Sequence, residues 1–157
     1  MGLARAQIAE SRFEDAERSA AEALALAERL GVVAPAAEAQ GLLGELELAF
    51  GRTGARERFE AMAALADTTG SGELKARALF GLAAAAPYAP EAAQRVQAAK
   101  DLLALFSAEL TPAERARFES LPQRARVVKG NHIDFSLTRV KKRDTGPLPP
   151  QGMWKMF

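Results

Sequence analysis

Small side chains at helical spacing dominate this sequence and indicate its fold class. Alanine accounts for 35 of the 157 residues. Over residues 3–30 the small and apolar positions follow a period near 3.6, break at Ser11 and Arg12, and stop at Gly31. This pattern predicts a short helix, a tight turn and a longer helix. Because alanine adds little bulk, such helices approach closely, and thin helical layers are favoured over a globule with a wide interior.

The same pattern returns twice along the chain. A second pair of helices is predicted on either side of a turn at residues 51–54, and a third pair around residues 87–90. If Ala4, Gly44 and Gly81 are equivalent positions, the repeats are offset by 40 and 37 residues. One helix pair cannot bury its own apolar face, so neighbouring pairs must stack and share a core. The sequence therefore predicts three stacked helical hairpins.

The residues of the first hairpin resemble those of the tetratricopeptide repeat (TPR) family. A small residue in the first helix, Ala4, and an aromatic residue before the second helix, Phe13, stand at the spacing of that family. The second helix continues the match with four small or apolar residues: Ala16, Ala20, Ala23 and Leu24. Close helix crossings need Gly or Ala at such points, because a larger side chain would push the two axes apart.

The resemblance covers about residues 2–106. In the third hairpin Gly81 and Ala93 keep the same interval of 12 residues as in the first, whereas the second hairpin carries Arg56 where a small residue is expected. The resemblance implies an all-α fold, an α–α superhelix of three TPR-like hairpins. An alanine-rich helical bundle is the alternative interpretation, and it would differ in curvature and in its groove.

A single helix is predicted after the third hairpin. Thr111 and Glu114 match a capping box, and Pro112 takes the first helical position, where its missing N–H costs nothing. This predicts a capping helix over residues 112–120 that seals one end of the repeats. Three apolar residues are predicted to face inward: Leu110, Phe118 and Leu121.

The first helix of the first hairpin is short. It has room for only about ten residues before Ser11, against about fourteen in the other two units. Either a longer repeat array was cut there, or another chain covers that face. The first helix thus predicts an open end opposite the capping helix.

Charge divides the chain into two parts. Residues 124–157 contain eight basic and two acidic residues, a net charge of +6, which leaves −5 on residues 1–123. The sequence therefore predicts an acidic helical repeat domain over residues 1–123 and a basic, extended C-terminal arm over residues 124–157.

Residues 132–140 of the arm show the alternation typical of a strand, with one apolar face formed by Ile133, Phe135 and Leu137. A turn at residues 129–131 could fold residues 126–128 back as a second strand. Because a lone ribbon is marginally stable, we expect it to pair with another surface. A Pro-rich spacer follows, and Trp154 and Phe157 at its tip are typical of a docking peptide.

The residues for catalysis or metal binding are sparse. There is no Cys, and the only His, His132, lies in a predicted turn, where His132 and Asp134 would supply too few ligands for a closed metal site. The stretch 68–73 lacks the Lys of a phosphate loop, so Ser71 is predicted as a helix N-cap. We expect a non-enzymatic protein without cofactor or metal. The sequence has neither an apolar run of membrane-spanning length nor a signal-peptide pattern, which predicts a cytoplasmic protein.

Protein binding is the function that these observations favour. In the TPR family the first helix of each hairpin lines a concave groove, and the resemblance implies seven partner contacts there: Arg5, Ile8, Glu38, Glu45, Leu48, Lys75 and Leu82. The arm is predicted to contact a second protein, or another copy of this chain, through nine residues: Ile133, Phe135, Leu137, Arg139, Lys141, Lys142, Arg143, Trp154 and Phe157. The sequence thus predicts a scaffold or adaptor subunit of a bacterial-type assembly or signalling complex.

Two other functions stay open. The four basic residues between 139 and 143 could neutralise the phosphates of a nucleic acid or an anionic membrane, although the acidic body would repel the same polymer. The chain is alternatively the regulatory C-terminal part of a larger signalling ATPase or kinase, an interpretation motivated by the short first helix.

Overall fold

Residues 2–108 and 110–120 are described from a computed structural model, and they form an all-α structure. Seven helices follow one another: α1 (Gly2–Ala9), α2 (Phe13–Leu30), α3 (Val33–Ala49), α4 (Ala55–Thr69), α5 (Gly72–Ala85), α6 (Ala92–Ser107) and α7 (Pro112–Ser120). From α1 to α6 each helix packs against the next, and α3 also contacts α5. The predicted fold class of three helical hairpins and a further helix is confirmed. The predicted arm and its strand at residues 132–140 lie outside the described residues.

Local signals set the ends of the helices. Gly31 ends α2 in the left-handed conformation, with φ of +67°, and the N–H of Val32 donates to the carbonyl of Ala27 at 3.0 Å. This is the arrangement in which a glycine satisfies the last carbonyls of a helix at no steric cost. At the start of α5, the hydroxyl of Ser71 accepts a hydrogen bond from the N–H of Leu74, which confirms Ser71 as an N-cap.

The core lies between neighbouring hairpins. One cluster joins residues of α1, α2 and α3, around Leu24 and Leu43, and a second joins α3, α4 and α5, around Phe59 and Met62. A third cluster joins the two helices of the third hairpin, through Ala76 and Phe80 of α5 and Ala99 and Leu103 of α6. Each hairpin therefore buries its apolar face against the next one, as the repeat pattern predicts.

The second helices of the three hairpins share one row of core positions. The row is Ala16, Ala20, Ala23 and Ala27 in α2; Ala55, Phe59, Met62 and Ala66 in α4; and Ala92, Val96, Ala99 and Leu103 in α6. Ala23 and Val96 are half-buried and the others are buried. Ala55 is thus the small residue of the second hairpin, and Arg56 beside it points outward to Glu60. In the third hairpin the small residue at this core position is Ala92 and not the predicted Ala93, because Ala92 is buried and Ala93 is exposed.

The ring of Phe59 lies between two first helices. A Cβ atom at Gly44 of α3 would lie 3.0 Å from Cζ of this ring, and a Cβ atom at Gly81 of α5 would overlap its opposite edge, at Cδ1 and Cε1. Gly44 therefore faces the second helix of its own hairpin, whereas Gly81 faces the second helix of the preceding hairpin. The predicted equivalence of Gly44 and Gly81 is wrong, although each marks a close helix approach.

The capping box at the start of α7 forms as predicted. The hydroxyl of Thr111 donates to Oε2 of Glu114 at 2.6 Å and accepts from the N–H of Glu114 at 3.4 Å, while the N–H of Thr111 donates to the same Oε2 at 3.0 Å. The helix bounds agree with the predicted residues 112–120. None of the residues of α7 is buried, and it contacts the body through Phe118 and through Arg115, whose Nε donates to the carbonyl of Ser107. Helix α7 therefore covers only part of the end of the repeats. Of the other two residues predicted to face inward, Leu110 is half-buried and Leu121 lies outside the described residues.

We expect the first turn of α7 to loosen in acid. Hydrogen bonds from the hydroxyl and then the N–H of Thr111 lower the pKa of Glu114 from its ordinary value. A carboxyl group with a lowered pKa stabilises the folded helix above its unfolded pKa, and the contribution is lost as pH falls through the folded pKa. An NMR titration of the Glu114 carboxyl should show the low pKa, and Thr111→Val should raise it. An unchanged pKa in that variant would contradict the capping box.

Candidate functional site

Four charged residues on the first helices of the hairpins form a row, which we call the charge row: Arg5 of α1, Glu38 and Glu45 of α3, and Arg77 of α5. Glu38 and Glu45 are two helical turns apart, so they lie on one face of α3, about 10.5 Å apart along its axis. Arg5 Nη2 lies 3.6 Å from Glu38 Oε2, and Arg77 Nη2 lies 3.8 Å from Glu45 Oε1. The row thus runs across three consecutive first helices, with two carboxylates at its centre.

The ion pairs of the charge row are loose. Their distances of 3.6 and 3.8 Å exceed those of hydrogen-bonded ion pairs, which are about 2.7–2.9 Å. Two other pairs in the same chain are tight: Arg52 to Glu17 at 2.7 Å and Arg56 to Glu60 at 2.8 Å. The side chains of Glu38 and Glu45 are 41% and 27% exposed. Both carboxylates can therefore accept hydrogen bonds from an external donor without first breaking a strong internal one.

Arg77 is the member of the charge row whose buried side chain has the fewest polar contacts. Its side chain is only 8% exposed, and its Nε is buried without a hydrogen-bond partner. The guanidinium fits beside Gly41, where a Cβ atom would lie 3.7 Å from Nη2. Burying a cation with a single loose ion pair costs folding free energy. Such a cost is typical of residues retained for function rather than for packing.

The sequence pattern does not single out Arg77, and only one weak signal in it could have done so. Arg77 stands between Ala76 and Ala78, both of which are fully buried. A charged residue inside such a small, apolar run is a local inconsistency of the kind found at functional sites. The pattern does not, however, reveal that the side chain reaches Glu45 on the neighbouring first helix.

The predicted groove residues divide into two sets. Arg5, Glu38 and Glu45 come together in the charge row. The other four lie elsewhere: Ile8 and Leu48 are half-buried against core clusters, Leu82 is in the core at 8% exposed, and Lys75 pairs with Asp67 of α4 at 2.5 Å. Leu48, Lys75 and Leu82 are thus engaged within the body, and a partner contact through any of the seven residues stays a prediction.

The predicted arm contacts lie outside the described residues. They are Ile133, Phe135, Leu137, Arg139, Lys141, Lys142, Arg143, Trp154 and Phe157. The contribution of the arm to binding therefore stays a prediction. The same holds for His132, the only imidazole of the chain.

A cavity of about 310 Å³ lies between the end of α5 and the start of α6. Its walls are apolar and include Phe80, Pro87 and Val96. Gln97 supplies an amide to the lining, and the Nε2 of this amide donates to Asp101 Oδ1 at 2.8 Å. One N–H of this amide is thus engaged by Asp101, and the second N–H and the carbonyl oxygen are the remaining polar groups of Gln97.

Metal ligands and membrane spans are not features of the described residues. In this part of the chain no three His, Cys, Asp or Glu side chains are grouped so that they could hold a metal ion. Nor is any helix within it both long enough and apolar enough to pass through a bilayer. Comparisons with protein-family models, curated proteins and solved structures found no match to this chain. A functional proposal therefore depends on the charge row and the cavity.

Proposed function

We propose that this chain is a TPR-like interaction scaffold whose charge row binds a segment of a partner protein carrying basic side chains. The observation that supports it is the pair of half-buried, loosely paired carboxylates at the centre of the row, Glu38 and Glu45. A Lys or Arg of the partner can donate to either one at hydrogen-bonding distance. Arg5 and Arg77 flank them and suit acidic groups or backbone carbonyls of the same segment.

The energetics favour a basic partner over an acidic one. A hydrogen bond to a charged group contributes about 1.5–3 kcal/mol where an existing strong bond need not be broken. In the charge row the carboxylates make no hydrogen bond to their arginines, so a basic side chain gains such bonds at small cost. The net charge of −5 on residues 1–123 also attracts a positive segment and speeds its encounter. An acidic segment would have to approach against that charge.

The arm extends this proposal to a second contact. We assign residues 132–140 to strand addition on another body, anchored by Trp154 and Phe157, with the basic residues between 139 and 143 steering the approach. A scaffold of this kind would join two proteins, one on the body and one on the arm. Binding of nucleic acid or an anionic membrane by the same basic residues is the competing assignment, and it predicts binding that weakens steeply with salt.

Selection from a random peptide display library tests the proposal on the full chain. We expect selected peptides to be rich in Lys and Arg. Replacing both Glu38 and Glu45 by Gln should weaken their binding about tenfold or more in calorimetric titrations, which corresponds to roughly 1.4 kcal/mol or more. Gln keeps the size of each side chain and removes its charge.

The matched control is the double replacement of Glu22 and Glu57 by Gln. These two residues are exposed on the second helices α2 and α4, so this variant has the same net charge but an intact charge row. Its peptide affinity should equal that of the native chain. If both double variants lose affinity equally, the attraction is general and the charge row is not the binding site. Selection of neutral or acidic peptides would also contradict the proposal.

A further inference from the structure

The last described helix, α7, packs on the same core cluster that contributes Phe80 to the cavity between α5 and α6. Phe118 of α7 packs against the core cluster that contains Phe80, and Val96 of α6 packs against the same cluster. Phe80 and Val96 also line the cavity. Helix α7 ends two residues after Phe118, at Ser120. Helix α7 and the cavity therefore share one core cluster.

We propose that the indole of Trp154 occupies this cavity in its own chain. The proposal does not rest on the charge row or on the function assigned to it. It gives the aromatic tip of the arm a defined place on the body, so that any partner of the tip must compete with the cavity. Three observations carry it: the chemistry of the lining, the composition of the arm, and the length of chain between Ser120 and Trp154.

The lining matches an aromatic ring that has one hydrogen-bond donor. Seven of the eight lining residues are apolar, among them Phe80, Ala83, Pro87, Ala92 and Val96. The eighth, Gln97, donates one of its two amide N–H groups to Asp101 and carries a carbonyl oxygen that can accept a hydrogen bond. An indole has an apolar body and a single N–H donor with no acceptor. Trp154 is the only Trp in the sequence.

The length of the connection favours the same chain over a second copy. Residues 121–153 join Ser120 to Trp154, and 33 residues can span up to roughly 110 Å. The burial of one side chain gives only weak binding between two separate molecules. Tethering makes the contact intramolecular, with an effective concentration on the order of millimolar. At micromolar protein concentration the tethered indole therefore outcompetes the indole of a neighbour.

Fluorescence of the full chain tests the proposal, because Trp154 is its only Trp. We expect the native chain to show blue-shifted emission and protection from acrylamide quenching. Ala93→Glu places a charge in the cavity at an exposed position, so the fold should be retained. In that variant the emission should shift to the red and the quenching constant should rise severalfold.

Ala98→Glu is the matched control, because Ala98 is exposed on the same helix but does not line the cavity. It should leave emission and quenching unchanged, and circular dichroism should show equal helix content in both variants. Water-like emission from the native chain, or equal effects of the two substitutions, would overturn the proposal. Protection that disappears on dilution would also overturn it, because it would assign the indole to a second copy. Replacing Glu38 and Glu45 should not change the emission, so this proposal and that of the charge row fail separately.

Discussion

Replacing Phe59 by alanine is expected to lower the free energy of unfolding by about 3–5 kcal/mol, the range for aromatic truncations in a packed core. Phe59 is 2% exposed and lies in the cluster that joins α3, α4 and α5. Its ring fills the space between Gly44 and Gly81, and neither glycine has a side chain that could move in to close the cavity. Denaturant unfolding followed by far-UV circular dichroism measures the change.

Phe106→Ala provides the comparison, because it deletes the same group at a less buried position. Phe106 also packs on a glycine, Gly72, but its side chain is 47% exposed. Folding removes only part of this side chain from water, so we expect Phe106→Ala to lower the free energy of unfolding by about 1 kcal/mol. If the two substitutions cost the same, Phe59 does not have the central position that the packing indicates.

Features encoded within a few neighbouring residues could be predicted from the sequence. The stop at Gly31, the N-cap at Ser71 and the capping box at Thr111 and Glu114 each depend on hydrogen bonds that close within one turn of helix. Helix α2 is also well predicted, because its buried residues form one stripe. Local signals of this kind do not depend on which helix packs against which.

The contacts between hairpins could not be predicted in the same way. Helix α3 is buried on several sides, at Ala36, Ala37, Ala39, Gly41, Leu42, Leu43, Gly44 and Leu46. A helix with small and apolar residues all round has no single stripe to show which face meets which neighbour. The sequence therefore does not reveal the rotation of α5, in which Leu74, Ala78 and Leu82 join the cluster around Phe59 and Lys75 pairs with Asp67 of α4.

The charge row was predicted only in part for the same reason. Arg5 and Glu38 were assigned to one surface because both belong to first helices, and the structure pairs them. The partner of Glu45 is Arg77, and that pairing depends on the rotation of α5 relative to α3. Pairing across helices is a tertiary property, so spacing along a single helix does not contain it.

Replacing Gly81 by valine is expected to destabilise the chain by about 3 kcal/mol, the upper end of the usual cost of added methyl groups in a packed core. Its Cβ atom would overlap the ring of Phe59, which is held between two helices and cannot retreat. Helix propensity alone would favour the substitution, because Gly is the poorest helix former after Pro. The clash and the propensity therefore predict opposite signs. Gly2→Val is the control: nothing lies within 4 Å of a Cβ atom there, and a change within about 0.5 kcal/mol is expected.

Combining Gly81→Val with Phe59→Ala separates steric overlap from any other effect of the valine. Once the ring is removed, the valine methyl groups enter the cavity that it leaves, so Gly81→Val should become neutral or stabilising. The interaction free energy of this double-mutant cycle should be roughly 3 kcal/mol, at the top of the range for residues in contact. Denaturant unfolding of the four proteins measures it. Additive effects would mean that α5 does not approach the ring of Phe59 at Gly81, and the arrangement that brings Arg77 of the same helix to the charge row would be wrong as well.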